Sequence, residues 1–198
     1  MSLTLTRNLP PAPRVGWTVA DFERLFDAGF FAPDARLELI EGEIFESMTQ
    51  RTPHSVAVML AQDVFIAIFG VGFRVRVQLP MVFGESSKPE PDLAVVEGTP
   101  RDYLESHPST AILIVEISDT TLIPDQTTKS SLYARAGVEE YWIVNLVDRT
   151  LEVRRQPFEQ TDALFGWNYR STQILLPGES VAPLRAPEIS VQVDELLP

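Results

Sequence analysis

The apolar run AILIVEI, residues 111–117, is the strongest constraint that the sequence places on the fold. Its length and its β-branched residues predict a strand that is buried on both faces, as in the centre of a sheet. Glu116 lies inside this run, and an uncompensated buried carboxylate is costly in free energy. Either a cation elsewhere in the chain meets Glu116, or the run is not a buried strand.

A helix predicted over residues 124–137 carries a cation for Glu116. Proline near its start and glycine at its end delimit this helix. Lys129 shares one helical face with Leu132 and Tyr133, which follow it at i+3 and i+4. Because the apolar members of this face have to pack on the sheet, we expect Lys129 to point inward with them. The alternative is a lysine that extends from the first turn of the helix into solvent.

Asp92 is a second carboxylate in a position that indicates a metal site. It follows Pro91 at the start of a predicted strand that precedes the strand of Glu116. If the two strands are adjacent, the carboxylates converge at one edge of the sheet, where they repel each other and raise each other's pKa. A divalent cation removes this conflict, and the backbone carbonyl of Ile117 offers a third oxygen. The alternative is that Asp92 only ends a turn and caps its strand.

The amino-acid composition restricts which metal can bind. The chain has no cysteine and only two histidines, His54 and His107, which excludes thiolate sites and a histidine-rich zinc centre. Any metal is therefore bound by oxygen atoms, which favours Mg²⁺, Mn²⁺ or Ca²⁺.

The net charge and the hydropathy of the sequence limit which partners the chain can have. The formal net charge of −12 weighs against a broad contact with nucleic acid, which needs a basic face, but it leaves room for a small basic patch or a metal-bridged phosphate. The apolar stretches are shorter than the roughly 20 residues of a membrane helix, and the N-terminus lacks the apolar core of a signal peptide. These features predict a cytoplasmic protein without a membrane partner.

The order of secondary-structure signals predicts the architecture. The 198 residues indicate one domain over residues 17–198, preceded by an extended arm over residues 1–16, where consecutive prolines oppose a helix. The central order is β-β-α-β-β-β-α-β-β, with weaker β signals and a helical turn after it. The hairpin is predicted in 35–48, the long helix in 52–70, and the strands in 73–83, 91–97, 111–117, 139–146 and 150–156. This order indicates an α/β (mixed α+β) fold with a mixed sheet flanked by helices.

Other conspicuous side chains have structural explanations. Tyr133, Tyr141 and Trp142 are expected to pack the helix against the sheet. Arg154 and Arg155 follow a late strand, and we expect them at the solvated surface; the alternative is a contact with phosphate.

The motifs taken together resemble the PD-(D/E)XK nuclease superfamily. Pro91-Asp92 opens a strand, Val115-Glu116 ends a buried one, and an inward lysine follows. In the usual motif the lysine stands two residues after the acidic residue, where this chain has Ser118. The run PDLAVV … AILIVEISDTT … DQTTKSSLYARAGVEEYWIVN instead resembles the Uma-two (Uma2) family of restriction endonucleases, in which the lysine has moved to the following helix. The resemblance extends to RLELIEGEI and TPHSVAVML and covers residues 17–156, and more loosely the C-terminal β segment.

The resemblance implies a restriction-endonuclease-like core with an extra C-terminal β segment. It implies an endonuclease that hydrolyses phosphodiester bonds of nucleic acid, DNA rather than RNA, with Mg²⁺ or Mn²⁺ as cofactor. Asp92, Glu116 and the Ile117 carbonyl would bind the metal, and Lys129 would be the catalytic lysine. Many nucleases of this fold class pair up, so a homodimer is expected.

Two further residues match the family with less defined roles. Glu38 matches the acidic residue before the hairpin turn, where superfamily members hold a second metal or a metal-bound water; the alternative is an exposed glutamate that pairs with Arg36. His54 matches the histidine at the start of the long helix. It shares a helical face with apolar residues such as Ala57 and Phe65, which favours a structural role over a catalytic one.

Two other functions compete with a nuclease. A non-catalytic interaction or scaffold protein on the same fold would fit the acidic surface and the displaced lysine. A hydrolase with paired carboxylates, such as a glycosidase, would not need the inward lysine or a metal.

Overall fold

A six-stranded mixed sheet forms the centre of this computed structural model, which describes residues 16–32, 34–46 and 50–198. Its strands lie side by side in the order β3 (Phe73–Val77), β4 (Leu93–Glu97), β5 (Leu113–Ser118), β6 (Glu140–Asn145), β7 (Thr150–Glu159) and β8 (Trp167–Leu175). Only the β5–β6 pair is parallel among these strands. The mixed sheet flanked by helices is confirmed.

The central position of β5 and β6 follows from their sequences. Every residue of both strands is buried, Glu116 included. Strands that are covered on both faces have nearly continuous apolar sequences, and AILIVEI is such a sequence. The prediction of a strand buried on both faces is therefore confirmed.

Two helical layers cover the two faces of the sheet. Helix α2 (Thr52–Ile68) and a C-terminal 3₁₀ turn (Val193–Leu196) pack on one face, and α4 (Ser130–Arg135) packs on the other. The first core includes Ala57, Ala61, Phe65, Leu113, Val115 and Trp142, and the second includes Ile114, Leu132, Tyr133, Tyr141 and Ile143. Since side chains alternate along β5, Glu116 belongs to the face that α4 covers.

The connection between the parallel strands β5 and β6 departs from the single regular helix predicted over residues 124–137. It begins as α3 (Leu122–Pro124), widens into a π-helical turn (Asp125–Lys129) and continues as α4. The Ser130 backbone N–H closes this turn by donating to the Asp125 carbonyl, five residues earlier in the chain. Here the Tyr141 hydroxyl donates to the Asp125 carbonyl (3.1 Å) and Arg154 Nη1 donates to the Gln126 carbonyl (2.8 Å). These two side-chain donors add to the backbone hydrogen bond of the turn.

The predicted hairpin forms a separate two-stranded sheet, β1 (Leu37–Ile40) and β2 (Glu43–Glu46). Its turn residues Glu41 and Gly42 both have positive φ, as a tight hairpin turn requires. A Cβ at Gly42 would lie 2.8 Å from the Gly16 Cα, so this close approach also demands glycine. A bridge between Leu39 and Lys88 ties β1 to the rest of the fold. The hairpin thereby holds Glu38 beside the main sheet.

The remaining elements complete the two ends of the chain. Helix α1 (Val19–Asp27) begins at a capping box formed by Thr18 and Asp21, and strands β9 (Ser180–Val181) and β10 (Val191–Gln192) pair near the C-terminus. The arm predicted over residues 1–16 falls, except for Gly16, outside the described residues. The assignment of residues 17–198 to one domain stays a prediction. Within the described ranges, no helix combines the length and apolar character needed to cross a bilayer.

The expectation that Arg154 and Arg155 lie at the solvated surface is wrong. Both side chains are largely buried because each meets a buried glutamate: Arg154 Nη2 lies 2.9 Å from Glu152 Oε2, and Arg155 pairs with Glu140. Cross-strand register explains the second pair, since Arg155 on β7 stands opposite Glu140 on β6.

Candidate active site

Asp92 and Glu116 lie side by side on two adjacent strands of the sheet. Asp92 directly precedes β4, and the pairing of Leu93 with Val115 places it opposite Glu116. The Asp92 backbone N–H donates to Oε2 of Glu116 (3.2 Å). Both side chains are buried, with 8% and 2% of their residues' surface exposed. The sequence expectation of two converging carboxylates thus matches the geometry.

Lys129 reaches this pair from the π-helical turn. Its Nζ lies 3.0 Å from Oε1 of Glu116 and 3.5 Å from Oε1 of Glu38. These contacts confirm the inward orientation that the helical spacing predicts, and Glu38 is itself buried rather than exposed. The Tyr133 hydroxyl, one turn further along, donates to the same Glu116 oxygen (2.6 Å). Glu116 therefore accepts hydrogen bonds from a lysine, a tyrosine and a backbone amide.

Three donors fix the carboxylate of Asp92. The Ile117 N–H donates to Oδ2 (2.9 Å), and Gln78 Nε2 donates to Oδ1 (3.1 Å). His54 Nε2, from the first turn of α2, lies 3.1 Å from Oδ2. His54 therefore belongs to the site, although its Nδ1 is buried without a hydrogen-bond partner.

The backbone of Ile117 faces the same carboxylate. In an extended strand the N–H and the C=O of one residue point to the same neighbouring strand. Since the Ile117 N–H reaches Asp92, the Ile117 carbonyl also points to the Asp92 side of β5. This orientation fits the third metal oxygen that the sequence analysis expects.

Burial and charge shift the pKa values of the carboxylates in opposite directions. Desolvation raises the pKa of Glu116 to about 8, against the opposing effect of the Lys129 ammonium, and the negative charge of Asp92 adds to the rise. Desolvation also acts to raise the pKa of Asp92, but the hydrogen bond and charge of His54, with the charge of Lys129 and the Ile117 N–H, bring that pKa below its ordinary value. The charge of Glu116 is thus less well compensated than that of Asp92.

Lys129 keeps its positive charge although it is largely buried. Burial alone would lower the pKa of its ammonium group, but the nearby carboxylates of Glu116 and Glu38 raise that pKa well above its ordinary value. Lys129 is therefore a permanent positive charge at neutral pH.

Asp125 is a member of the site that the sequence analysis missed. It is buried at the start of the π-helical turn, where its Oδ2 accepts hydrogen bonds from the hydroxyls of Ser118 (2.6 Å) and Thr121 (2.7 Å). Burial raises the pKa of this carboxyl group even though the charge of Lys129 opposes the change. The available signal was its spacing, four residues before Lys129, which is about one helical turn.

The donor set suits a hard divalent cation. Mg²⁺ is held by one or two carboxylates and keeps several waters, which Asp92, Glu116 and the Ile117 carbonyl can satisfy. No group of three or more histidine, aspartate or glutamate side chains within the described ranges is arranged to hold a metal by itself. A metal here would consequently depend on water and substrate oxygens for its remaining ligands.

A cavity of about 320 Å³ opens directly onto these residues. Its walls come from the hairpin, the start of α2, the end of β5 and the π-helical turn. Within the described ranges its lining includes Arg36, Glu38, Phe45, Arg51, His54, Asp92, Glu116, Asp119, Asp125 and Lys129. The buried cluster is therefore accessible to a ligand.

The fold and this site together define a restriction-endonuclease-like protein. The chain matches the model of the Uma2 family, described as "Putative restriction endonuclease", over residues 19–194, and it belongs to that family. The family that the motifs indicate is thereby confirmed.

A solved structure supports the fold independently. The chain is similar to a protein from Anabaena variabilis ATCC 29413, described as "a putative nuclease belonging to DUF820", with a TM-score of 0.66 and 18% sequence identity. The similarity covers 91% of this chain and 97% of that one. No curated protein matches the chain.

Proposed function

We propose that this chain is a metal-dependent endonuclease that hydrolyses phosphodiester bonds of nucleic acid, DNA in preference to RNA. The observation that carries the proposal is the meeting of Asp92, Glu116 and Lys129 beneath one open cavity. Membership of the Uma2 family supports the same reaction class.

Asp92, Glu116 and the Ile117 carbonyl would hold Mg²⁺ or Mn²⁺. When bound, such an ion acts as a Lewis acid towards a phosphoryl oxygen and makes a water more nucleophilic at neutral pH. The hydrogen bonds from His54, Gln78 and the Ile117 N–H fix the orientation of the Asp92 carboxylate before a ligand arrives.

Lys129 stabilises negative charge rather than accepting a proton. Because its pKa lies well above the ordinary value, the ammonium group stays protonated and cannot act as a general base. A fixed positive charge in a partly enclosed site lowers the energy of the negative charge that develops on the phosphate during hydrolysis. Glu38 and Glu116, both within 3.5 Å of Nζ, hold the ammonium in place.

A non-catalytic scaffold on the same fold is the second candidate. The observation that favours it is the saturation of the carboxylates by internal hydrogen bonds, since both oxygens of Asp92 and both of Glu116 already accept donors. A scaffold would show no saturable Mg²⁺ or Mn²⁺ binding that depends on Asp92 and Glu116, whereas the nuclease requires it.

The decisive test is a cleavage assay on single- and double-stranded DNA and RNA with Mg²⁺ or Mn²⁺. Wild-type protein is expected to cut at least one substrate, while Asp92→Ala is expected to be inactive on all of them. Equal cleavage by both proteins would identify a contaminating nuclease and contradict the proposal. The expected homodimer and the cytoplasmic location stay predictions.

A further inference from the structure

We infer that the nucleotide at the cleavage site is unpaired, with its base stacked on Phe45 and its phosphate at Lys129. The inference rests on the proposed nuclease function and adds the class of substrate, namely a single strand or a single-stranded segment of a longer nucleic acid. Three features of the cavity carry it.

The first feature is the placement of Phe45 beside the charged cluster. Phe45 on β2 is the cross-strand partner of Glu38 on β1, so the two side chains project from the same face of the hairpin. Glu38 contacts Lys129 (3.5 Å). Phe45 is therefore the direct cross-strand neighbour of a residue that contacts the Lys129 ammonium group, which we expect to bind the phosphate.

The second feature is the exposure of the Phe45 ring. It is 45% exposed and lines the cavity instead of packing in either core. Aromatic side chains that face a nucleic-acid site bind bases by stacking, and this contact requires a base whose faces are free. A base inside a duplex has both faces covered by its neighbours and cannot make the contact.

The third feature is the charge of the cavity. Apart from Asp92 and Glu116, which the proposed cation would neutralise, its described lining carries five carboxylates and three cationic side chains: Glu38, Glu46, Glu90, Asp119 and Asp125 against Arg36, Arg51 and Lys129. A duplex brings roughly one negative charge per 1.7 Å of axis, whereas one strand brings about half of that. The acidic surroundings of the site, in a chain of net charge −12, therefore favour the ligand that brings fewer phosphates.

The cavity size agrees with this reading. Its volume of about 320 Å³ lies at the small end of the ligand sites known in proteins, which span roughly 300–1,000 Å³. Arg51 lies at the rim of the cavity with 70% of its side chain exposed, and its Nε comes no closer than 4.0 Å to Asp119 Oδ2. Its guanidinium group is therefore available for a flanking phosphate.

The first experiment compares one labelled sequence as a single strand, as a blunt duplex and as a duplex with a single-stranded gap, in Mg²⁺ and Mn²⁺. Cleavage of the single strand and of the gap, with the paired regions intact, is the expected result. Cutting of the blunt duplex at the rate of the single strand would overturn the inference and leave the nuclease proposal standing.

The second experiment changes the stacking surface. Phe45→Ala and Phe45→Leu are expected to raise KM for the single strand about 5- to 100-fold with a smaller effect on kcat, because they remove base stacking. Phe45→Trp should retain the wild-type KM. The matched control is Phe30→Ala, which removes a phenylalanine that is 73% exposed and does not line the cavity. An unchanged KM in Phe45→Ala would overturn the inference.

A binding measurement separates this inference from the nuclease proposal. Fluorescence anisotropy with labelled strands and the wild-type protein in Ca²⁺ instead of Mg²⁺ measures binding without requiring turnover. Preferential binding of the single strand that Phe45→Ala abolishes would support the inference even if no substrate were cleaved. Equal binding of duplex and single strand would overturn it.

Discussion

Lys129 Nζ lies 3.0 Å from Oε1 of Glu116, and this pair explains how a carboxylate is tolerated inside a strand of which every residue is buried. The Tyr133 hydroxyl and the Asp92 N–H complete the contacts of Glu116. Even so, burial raises the pKa of Glu116 to about 8. The arrangement compensates the carboxylate incompletely, which is the property expected of a site that also receives a cation.

Replacement of Lys129 by alanine tests the charge that the site places beside the phosphate. We expect Lys129→Ala to lower kcat roughly 10²- to 10³-fold, the effect of removing one preorganised donor of charge stabilisation. Metal binding should persist, because the proposed ligands are Asp92, Glu116 and a carbonyl. The control is Lys88→Ala, the other lysine of the chain, which pairs with Glu23 away from the cluster. Wild-type kcat in Lys129→Ala would contradict the proposed role.

Replacement of Asp92 tests the metal site itself. Asp92→Ala removes a proposed ligand and should weaken Mg²⁺ or Mn²⁺ binding by at least about 10-fold, as loss even of an outer-shell partner does at metal sites. Isothermal titration calorimetry on the protein without nucleic acid measures this directly. Asp63→Asn, an exposed aspartate on α2, should bind metal like the wild type. If both variants bind alike, the metal is held elsewhere or not at all.

The positions of residues that depend on local periodicity could be predicted from the sequence. Helical spacing put Lys129 on the inner face, and the apolar run put Glu116 in a central strand. The sequence was insufficient where partners depend on strand register: Gln78 meets Asp92 because β3 pairs with β4, and Arg155 is buried because it stands opposite Glu140. Nor does any local pattern predict the π-helical turn, where the distant side chains of Tyr141 and Arg154 donate to two of the backbone carbonyls.

His107 offers a test of pH dependence away from the proposed metal ligands. Burial, and then the positive charges of Lys88 and Arg76, lower its pKa from the ordinary value of 6.5, while Glu23 acts weakly in the opposite direction. Arg76 Nη2 lies 3.4 Å from the His107 Nδ1. The unfolded chain therefore binds this proton more readily than the folded one, and stability falls as the pH decreases below 6.5.

The measurement is urea denaturation of the wild type and of His107→Gln at pH 7.5, 6.5 and 5.5. The wild type should lose stability relative to the variant as the pH falls, because only the wild type has to protonate His107 beside two cations. A difference between the two proteins that stays constant over this range would show that His107 does not contribute to the pH dependence.

Arg154 is predicted to act on catalysis through the π-helical turn. Its Nη1 donates to the Gln126 carbonyl and to Ser130 Oγ, both at 2.8 Å, and these two residues flank the segment that carries Lys129. Arg154→Met keeps the apolar part of the side chain and removes both hydrogen bonds. We expect kcat to fall by about 10-fold or more, since small displacements of a catalytic group have large effects on rate, whereas KM should change little because Arg154 does not line the cavity.

The comparison that separates positioning from general destabilisation is Arg155→Met. Arg155 is also largely buried, but it pairs with Glu140 and the Ala182 carbonyl, on the side of the fold away from the π-helical turn. Both variants should lose stability in urea denaturation, because each leaves a buried glutamate without its cation. Only Arg154→Met should lower kcat in protein that is still folded. Equal kcat losses in the two variants would mean that Arg154 contributes to stability alone.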